Sequence, residues 1–298
     1  MNVEGEVHTC RSIARKFGIC LLAMVAVSQV VAEGRNYYEW TAVAPDVVIA
    51  KVLGEEGRSP VAAVEQVLKG GLAPGAEFLI DLRDANKARL SHRTKLRLLH
   101  GERYLLLLDQ DPTGNKRWPL YRLVRGVDGA KELPKEGEEA LLDALRTFLE
   151  LHEIEDHDRL WERHSDLLES VNPIVLRTVL EQYVKFRRGL PELVPSLLPL
   201  AAHPAPDVRA GAVTLIGQIY QDEATGQEQE ETAIEGELIA LARRDPVVDV
   251  RIAATIAVAR LPGEGALRVL QQIALEDPDQ LVRYTAQKLL LEATGNEP

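Results

Sequence analysis

HPAPDVRAGAVTLIGQI from His203, DPVVDVRIAATIAVARL from Asp245 and DPDQLVRYTAQKLLLEA from Asp277 are one phrase written three times. In each copy a Pro is followed four residues later by Val, five later by Arg and eight later by Ala. The positions are Pro204, Val208, Arg209 and Ala212, then Pro246, Val250, Arg251 and Ala254, then Pro278, Val282, Arg283 and Ala286. Recurrence at a few tens of residues marks a stacked array of helix pairs, whose units bury a core only against their neighbours.

The residue types follow from that geometry. Pro lacks an amide donor and is tolerated only in a helix's first turn, and Asp accepts the first-turn amide hydrogens. Val and Ala let adjacent helices approach closely. Arg is placed to reach a carboxylate or a carbonyl in the neighbouring unit. Asn172-Pro173, with Arg177 four residues on, reads as a degenerate first copy. Successive prolines then fall 31, 42 and 32 residues apart, and the long interval holds the acidic insertion running from Gln221 to Glu231. Such an insertion maps to a surface loop.

Upstream, Glu138 to Glu153 aligns Leu141, Leu142, Leu145, Phe148 and Leu149 on one helical stripe, and Asp158 to Ser170 follows in the same period. From about Asp158 to Thr294 the chain resembles the HEAT-repeat family in its short bacterial form, with helix pairs of about thirty residues rather than about 40 to 47. The resemblance implies an all-α solenoid of about four helix pairs and protein–protein interaction. Aligning the copies puts Thr214, Gln218, Arg260, Tyr284, Gln287 and Lys288 on the outer side of the second helices, as candidate contacts for a protein partner.

The preceding region has a different grammar. Short apolar runs bounded by Gly and Pro, at Asp46–Leu53, Val61–Leu68, Glu77–Leu82, Tyr104–Leu108 and Leu120–Val124, predict a small antiparallel sheet or barrel over residues 33–125. Gly126 to Gly137, with three Gly and one Pro, reads as a linker, leaving 138–298 to a capping helix and the repeats. The fold class expected is therefore α+β multidomain, a small antiparallel β-barrel followed by the solenoid. The order of Asp46-Val-Val-Ile-Ala-Lys-Val, Val64-Glu-Gln-Val-Leu-Lys-Gly and Gly101-Glu-Arg-Tyr-Leu-Leu-Leu-Leu is similar to the netrin-like domain, an oligonucleotide/oligosaccharide-binding (OB) type barrel shared with tissue inhibitors of metalloproteinases. The inhibitory activity does not carry over, because it needs an N-terminal cysteine.

Arg11, Arg15 and Lys16 precede an uncharged run from Phe17 to Ala32, which ends in Val-Val-Ala. These are the three parts of a secretory signal over residues 1–32, whose 16-residue apolar run is short for a span of about 20 residues; cleavage is the expectation and an uncleaved anchor the alternative. The expectation is an exported chain, periplasmic or secreted, with no stable membrane insertion once the signal is cleaved. Cys10, Cys20, Met1 and Met24 all lie in that segment. The remainder holds no disulfide, thiolate metal site or cysteine nucleophile. Its removal takes three basic and two acidic residues from 35 and 46, leaving 32 against 44, a balance that repels nucleic acid.

A local exception is Lys87, Arg89, His92, Arg93, Lys95, Arg97, His100 and Arg103, opposed by Glu102 alone. Lys87, Arg89, Arg93, Lys95 and Arg97 are candidate contacts for an anionic polysaccharide or other polyanion, and a solvated face is the plainer reading. His152, His157 and His164 match no standard zinc spacing, and a charged helix joint with Trp161 packed inward suits them better. No phosphate-binding Gly loop, Gly-x-Ser-x-Gly elbow or Ser-x-x-Lys pair is present, so neither catalytic residues nor a cofactor is expected. The residues thus point to a non-enzymatic interaction scaffold that binds another protein, with a polyanion binder as the alternative.

Overall fold

The computed structural model describes residues 37–87, 96–114, 118–222, 228–261 and 264–294. The signal-like segment 1–32 and the basic residues Arg89, His92, Arg93 and Lys95 lie outside these. The described chain divides into two compact units, one ending at Arg163 and the other beginning at His164.

The first unit opens with helix α1 (Tyr37–Val43) and contains strands β1 (Asp46–Glu56), β2 (Ser59–Lys69), β3 (Glu77–Asp81), β4 (Arg103–Asp111), β5 (Leu120–Leu123) and β6 (Ala130–Glu132). Helix α2 (Arg83–Lys87) follows β3, and α3 (Glu138–His152) follows β6. All five apolar runs of the sequence are strands. β1 pairs antiparallel with β2 and with β4, β2 with β3, and β4 with β5 and β6, while β3 runs parallel to β5. Three register shifts break the β1–β2 ladder, the irregularity by which a long pair bends and twists.

One face of this sheet is the core: Val48, Ala50 and Val52 of β1, Phe78 and Ile80 of β3, Leu106 and Leu108 of β4, and Tyr121 of β5, with Phe78 and Tyr121 edge-on at 5.3 Å. Val47, Ile49, Leu105 and Leu107, on the opposite face, are buried too. That explains why residues 47–50 of β1 and 104–108 of β4 are continuous apolar runs without alternation, the pattern of strands covered on both sides. At about 1.5–3 kcal/mol for each fully buried Leu or Ile, these two strands are the strongest part of the unit.

The stretch read as a linker, 126–137, is largely built into the unit. Gly126–Gly129 is a 3-10 turn, and β6 registers Tyr104 with Glu132 and Leu106 with Ala130. β4 outruns β5, and β6 satisfies the hydrogen-bonding groups that β5 leaves at its start. Helix α3, assigned from sequence to the repeat half, also belongs here. Arg103 of β4 donates to Glu65 at 2.6 Å and to Glu138, in the first turn of α3, at 2.9 Å. Tyr38 of α1 lies edge-on to Phe148 and 4.4 Å from the His152 ring, both on α3. The boundary therefore falls inside the next helix, α4 (His157–Asp166), rather than in the Gly-rich stretch.

The second unit continues with α5 (Pro173–Phe186), α6 (Val194–Ala201), α7 (Pro206–Asp222), α8 (Glu228–Arg244), α9 (Val248–Val258), α10 (Glu264–Glu276) and α11 (Gln280–Thr294). α5, α7, α9 and α11 stack in that order, and α6, α8 and α10 each pack beside the helix that follows. Small residues set the spacing. A Cβ added at Gly217 of α7 would lie 2.8 Å from the Ala257 Cβ of α9, and one at Gly211 would lie 3.1 Å from Leu180 of α5. Along α9 every residue from Val250 to Val258 is buried, as befits a helix enclosed on all sides.

Candidate functional site

The recurring phrase builds one node at each junction between units. Asp245 precedes α9, and its Oδ1 accepts the Val247 amide at 2.9 Å; Asp277 precedes α11 and does the same for Asp279 at 2.8 Å. Asn172 and His203 stand at the matching points earlier in the array, where their side chains accept the amides of Ile174 and Ala205. The Arg of the preceding unit then closes on the Asp. Arg209 meets Asp245 through Nε at 2.8 Å and Nη2 at 2.9 Å, and Arg251 meets Asp277 at 2.9 and 3.1 Å. Each remaining nitrogen, Nη1, is held by carbonyls of its own turn: His203 and Pro204 for Arg209, Asp245 for Arg251, Asp277 and Pro278 for Arg283. The Asp side chains are 3% exposed, so these are sealed, bidentate pairs whose geometry fixes register between units.

Against this frame the six surface candidates separate. Gln218 was expected to point outward and is instead buried, its Nε2 donating to the Val184 carbonyl at 3.3 Å. A second helix inside the stack has neighbours on both flanks and little free circumference. Thr214 is half-buried with its hydroxyl donating to the Ala210 carbonyl, and Arg260 is half-buried close to Gly217. The three on α11 differ. Tyr284 is 62% exposed, Gln287 is exposed, and the Lys288 side chain is 43% exposed beside Glu292 at 3.9 Å. Leu281 and Leu291 are exposed on the same helix. Burial holds the Glu292 carboxyl above the usual range, with Lys288 acting against it.

The basic segment is dispersed. Lys87 ends α2, Arg97 is exposed, and Arg89, Arg93 and Lys95 lie outside the described residues. Arg103 is engaged by Glu65 and Glu138. Between α2 and the ends of β3 to β5 is a cavity of about 400 Å³, lined in part by Asp81, Asp84, Asp109 and Arg122. Asp81 is spent on Arg83, whose side-chain bond is the main cause of its depressed pKa. Among the three histidines, His152 accepts no metal-like company: it bonds the Tyr38 carbonyl at 2.8 Å, His157 stacks on Trp161, and His164 is buried edge-on to Tyr183. Trp161 is half-buried. Among the described residues no group of three or more His, Cys, Asp or Glu is arranged to hold a metal ion, and no helix is long and apolar enough to cross a membrane.

Arg283 is recognisable in the sequence as a repeat residue, but its place beside the exposed Tyr284 is not. The available signal was its identity with Arg209 and Arg251, both of which reach forward to an Asp.

No curated protein matches this chain. A solved structure of computationally designed armadillo repeat proteins for modular peptide recognition is 18% identical, with a TM-score of 0.37, covering 54% of this chain and 78% of that one. The family model for HEAT repeats matches residues 194–291. The helical array from α6 into α11 is therefore a run of HEAT-like repeats.

Proposed function

We propose that this chain is an exported, non-enzymatic scaffold that binds another protein through the exposed face of α11. HEAT-like repeats suggest protein interaction in general, and one observation directs the reading to a place. Tyr284 is 62% exposed on the last described helix of the array, whereas the earlier candidates Thr214, Gln218 and Arg260 are wholly or partly covered. An exposed tyrosine flanked by Leu281, Leu291 and Lys288 has the composition of an interface centre, aromatic and aliphatic with a polar rim.

The first unit serves as a stabilising or adapting domain. We read its sheet as an OB-type barrel, supported by the circuit of pairings from β1 through β2, β3, β5 and β4 back to β1. Export rests on the basic and apolar pattern of residues 1–32.

The test uses the full chain as bait in extract of its source organism, followed by reconstitution with the purified partner. A largely apolar α11 contact is expected to survive a high-salt wash and to be lost with Tyr284→Glu. A partner that leaves at high salt and ignores Tyr284→Glu would contradict the reading.

A further inference from the structure

Arg283 repeats the node of Arg209 and Arg251 with one part open. Its Nη1 donates to the Asp277 carbonyl at 2.6 Å and to that of Pro278 at 3.0 Å, the same hold that His203 and Pro204 place on Arg209. In the two earlier nodes the remaining Nε and Nη2 grip an aspartate in the turn before the next helix, whose Oδ1 also accepts the amide two residues on. Among the described residues no acceptor meets Nε or Nη2 of Arg283. The guanidinium is thus fixed in direction before any carboxylate arrives, which removes part of the ordering cost of binding it.

The surroundings match. At the shift that carries Arg251 onto Arg283, Ile252 falls on Tyr284. Ile252 is 8% exposed inside the stack, and Tyr284 is 62% exposed. A position that is covered inside the array is thus open on α11, beside the guanidinium whose two counterparts are paired.

Resting on the scaffold reading above, we propose that Arg283 is a recognition residue for the partner, and that its ligand is an aspartate in the turn that leads into a partner protein's helix, laid on α11 as α11 is laid on α9. A head-to-tail second copy fits less well, because its first repeat would offer Asn172 at the matching place, which carries no charge. A bidentate carboxylate on Arg also gives direction, which a solvated surface pair does not.

The experiment uses the full chain and a fluorescent synthetic peptide of residues 277–294, held helical by a lactam bridge, so that Asp277 serves as the incoming carboxylate. Binding is read by anisotropy, and the Arg283 Nε–H by ¹⁵N NMR. The peptide is expected to bind about tenfold or more tightly than its Asp277→Asn form and to shift the Nε–H signal. Arg283→Gln is expected to erase the difference between the two peptides, and Arg283→Lys to restore only part of it. Equal binding of both peptides, a difference that survives Arg283→Gln, or no binding at millimolar peptide overturns the proposal. So does an equal Nε–H shift with millimolar acetate, which would mark a site for small carboxylates only. If the natural partner is lost with Tyr284→Glu but bound at full strength by Arg283→Gln, the scaffold reading stands and this inference fails.

Discussion

Arg251 and Asp277 are a charge pair withdrawn from water, with side chains 9% and 3% exposed. Removing one member of such a pair strands the other, and Asp277 also holds the turn leading into α11 through the Asp279 amide. Arg251→Ala is expected to cost about 3–5 kcal/mol in urea unfolding, whereas Lys288→Ala, at an exposed pair, costs about 0–1. Equal effects would mean that the node is not holding the units together. The residue types of the node were legible because Asp, Pro and Arg recur at fixed offsets. What could not be read was the distance each Arg spans: Arg209 skips the long insertion to reach Asp245, and only the stacking of α7 on α9 brings them together. The burial of Gln218 was hidden for the same reason, since a glutamine on a helix surface says nothing about a second helix arriving over it.

At the scale of the elements, two glycines in the array offer opposite outcomes for the same substitution. Gly217 of α7 has Ala257 of α9 where its Cβ would go, and Gly236 of α8 has nothing within 4 Å. Gly236→Ala is expected to gain about 0.5–1 kcal/mol from helix propensity, while Gly217→Ala loses about 1–3 kcal/mol as α7 and α9 are forced apart. Thermal unfolding followed by circular dichroism separates the signs.

The seam between α1 and α3 gives a pH dependence. Burial depresses the His152 pKa below its usual 6.5, an effect opposed by the Tyr38 carbonyl and reinforced by Lys69. Because the folded imidazole resists protonation that the unfolded chain accepts, stability is full above pH 6.5 and is lost as pH falls toward the depressed value. Unfolding curves between pH 7.5 and 5 should show that slope in the wild type and lose it in His152→Gln, which can still donate to Tyr38. An unchanged slope in the variant would place the titration elsewhere. The five long strands were legible from their apolar runs. β6 was not, since three residues are too few to show a period and they sit among glycines. α1 was missed because its apolar face, Tyr37 and Trp40, is brief and follows the signal-like run.

For the whole molecule, composition separated a sheet-rich region from a helical one, but not the point of division. Gly126 to Gly137 looked like a linker by content, and the contacts that override it, Arg103 to Glu138 and Tyr38 to Phe148, join residues far apart in sequence. The repeat array was legible almost entirely, because a solenoid's long-range contacts are copies of one local pattern. The exposed face of α11 was legible only in part: the alignment found Tyr284, Gln287 and Lys288 but could not distinguish them from the covered Thr214, Gln218 and Arg260. The decisive measurement is the affinity of the reconstituted partner complex for the full chain and for Tyr284→Glu, with unfolding temperatures taken on both. The expected result is a Kd raised by about tenfold or more at an unchanged unfolding temperature. A Kd equal to that of the wild type would show that the α11 face is not where this protein binds.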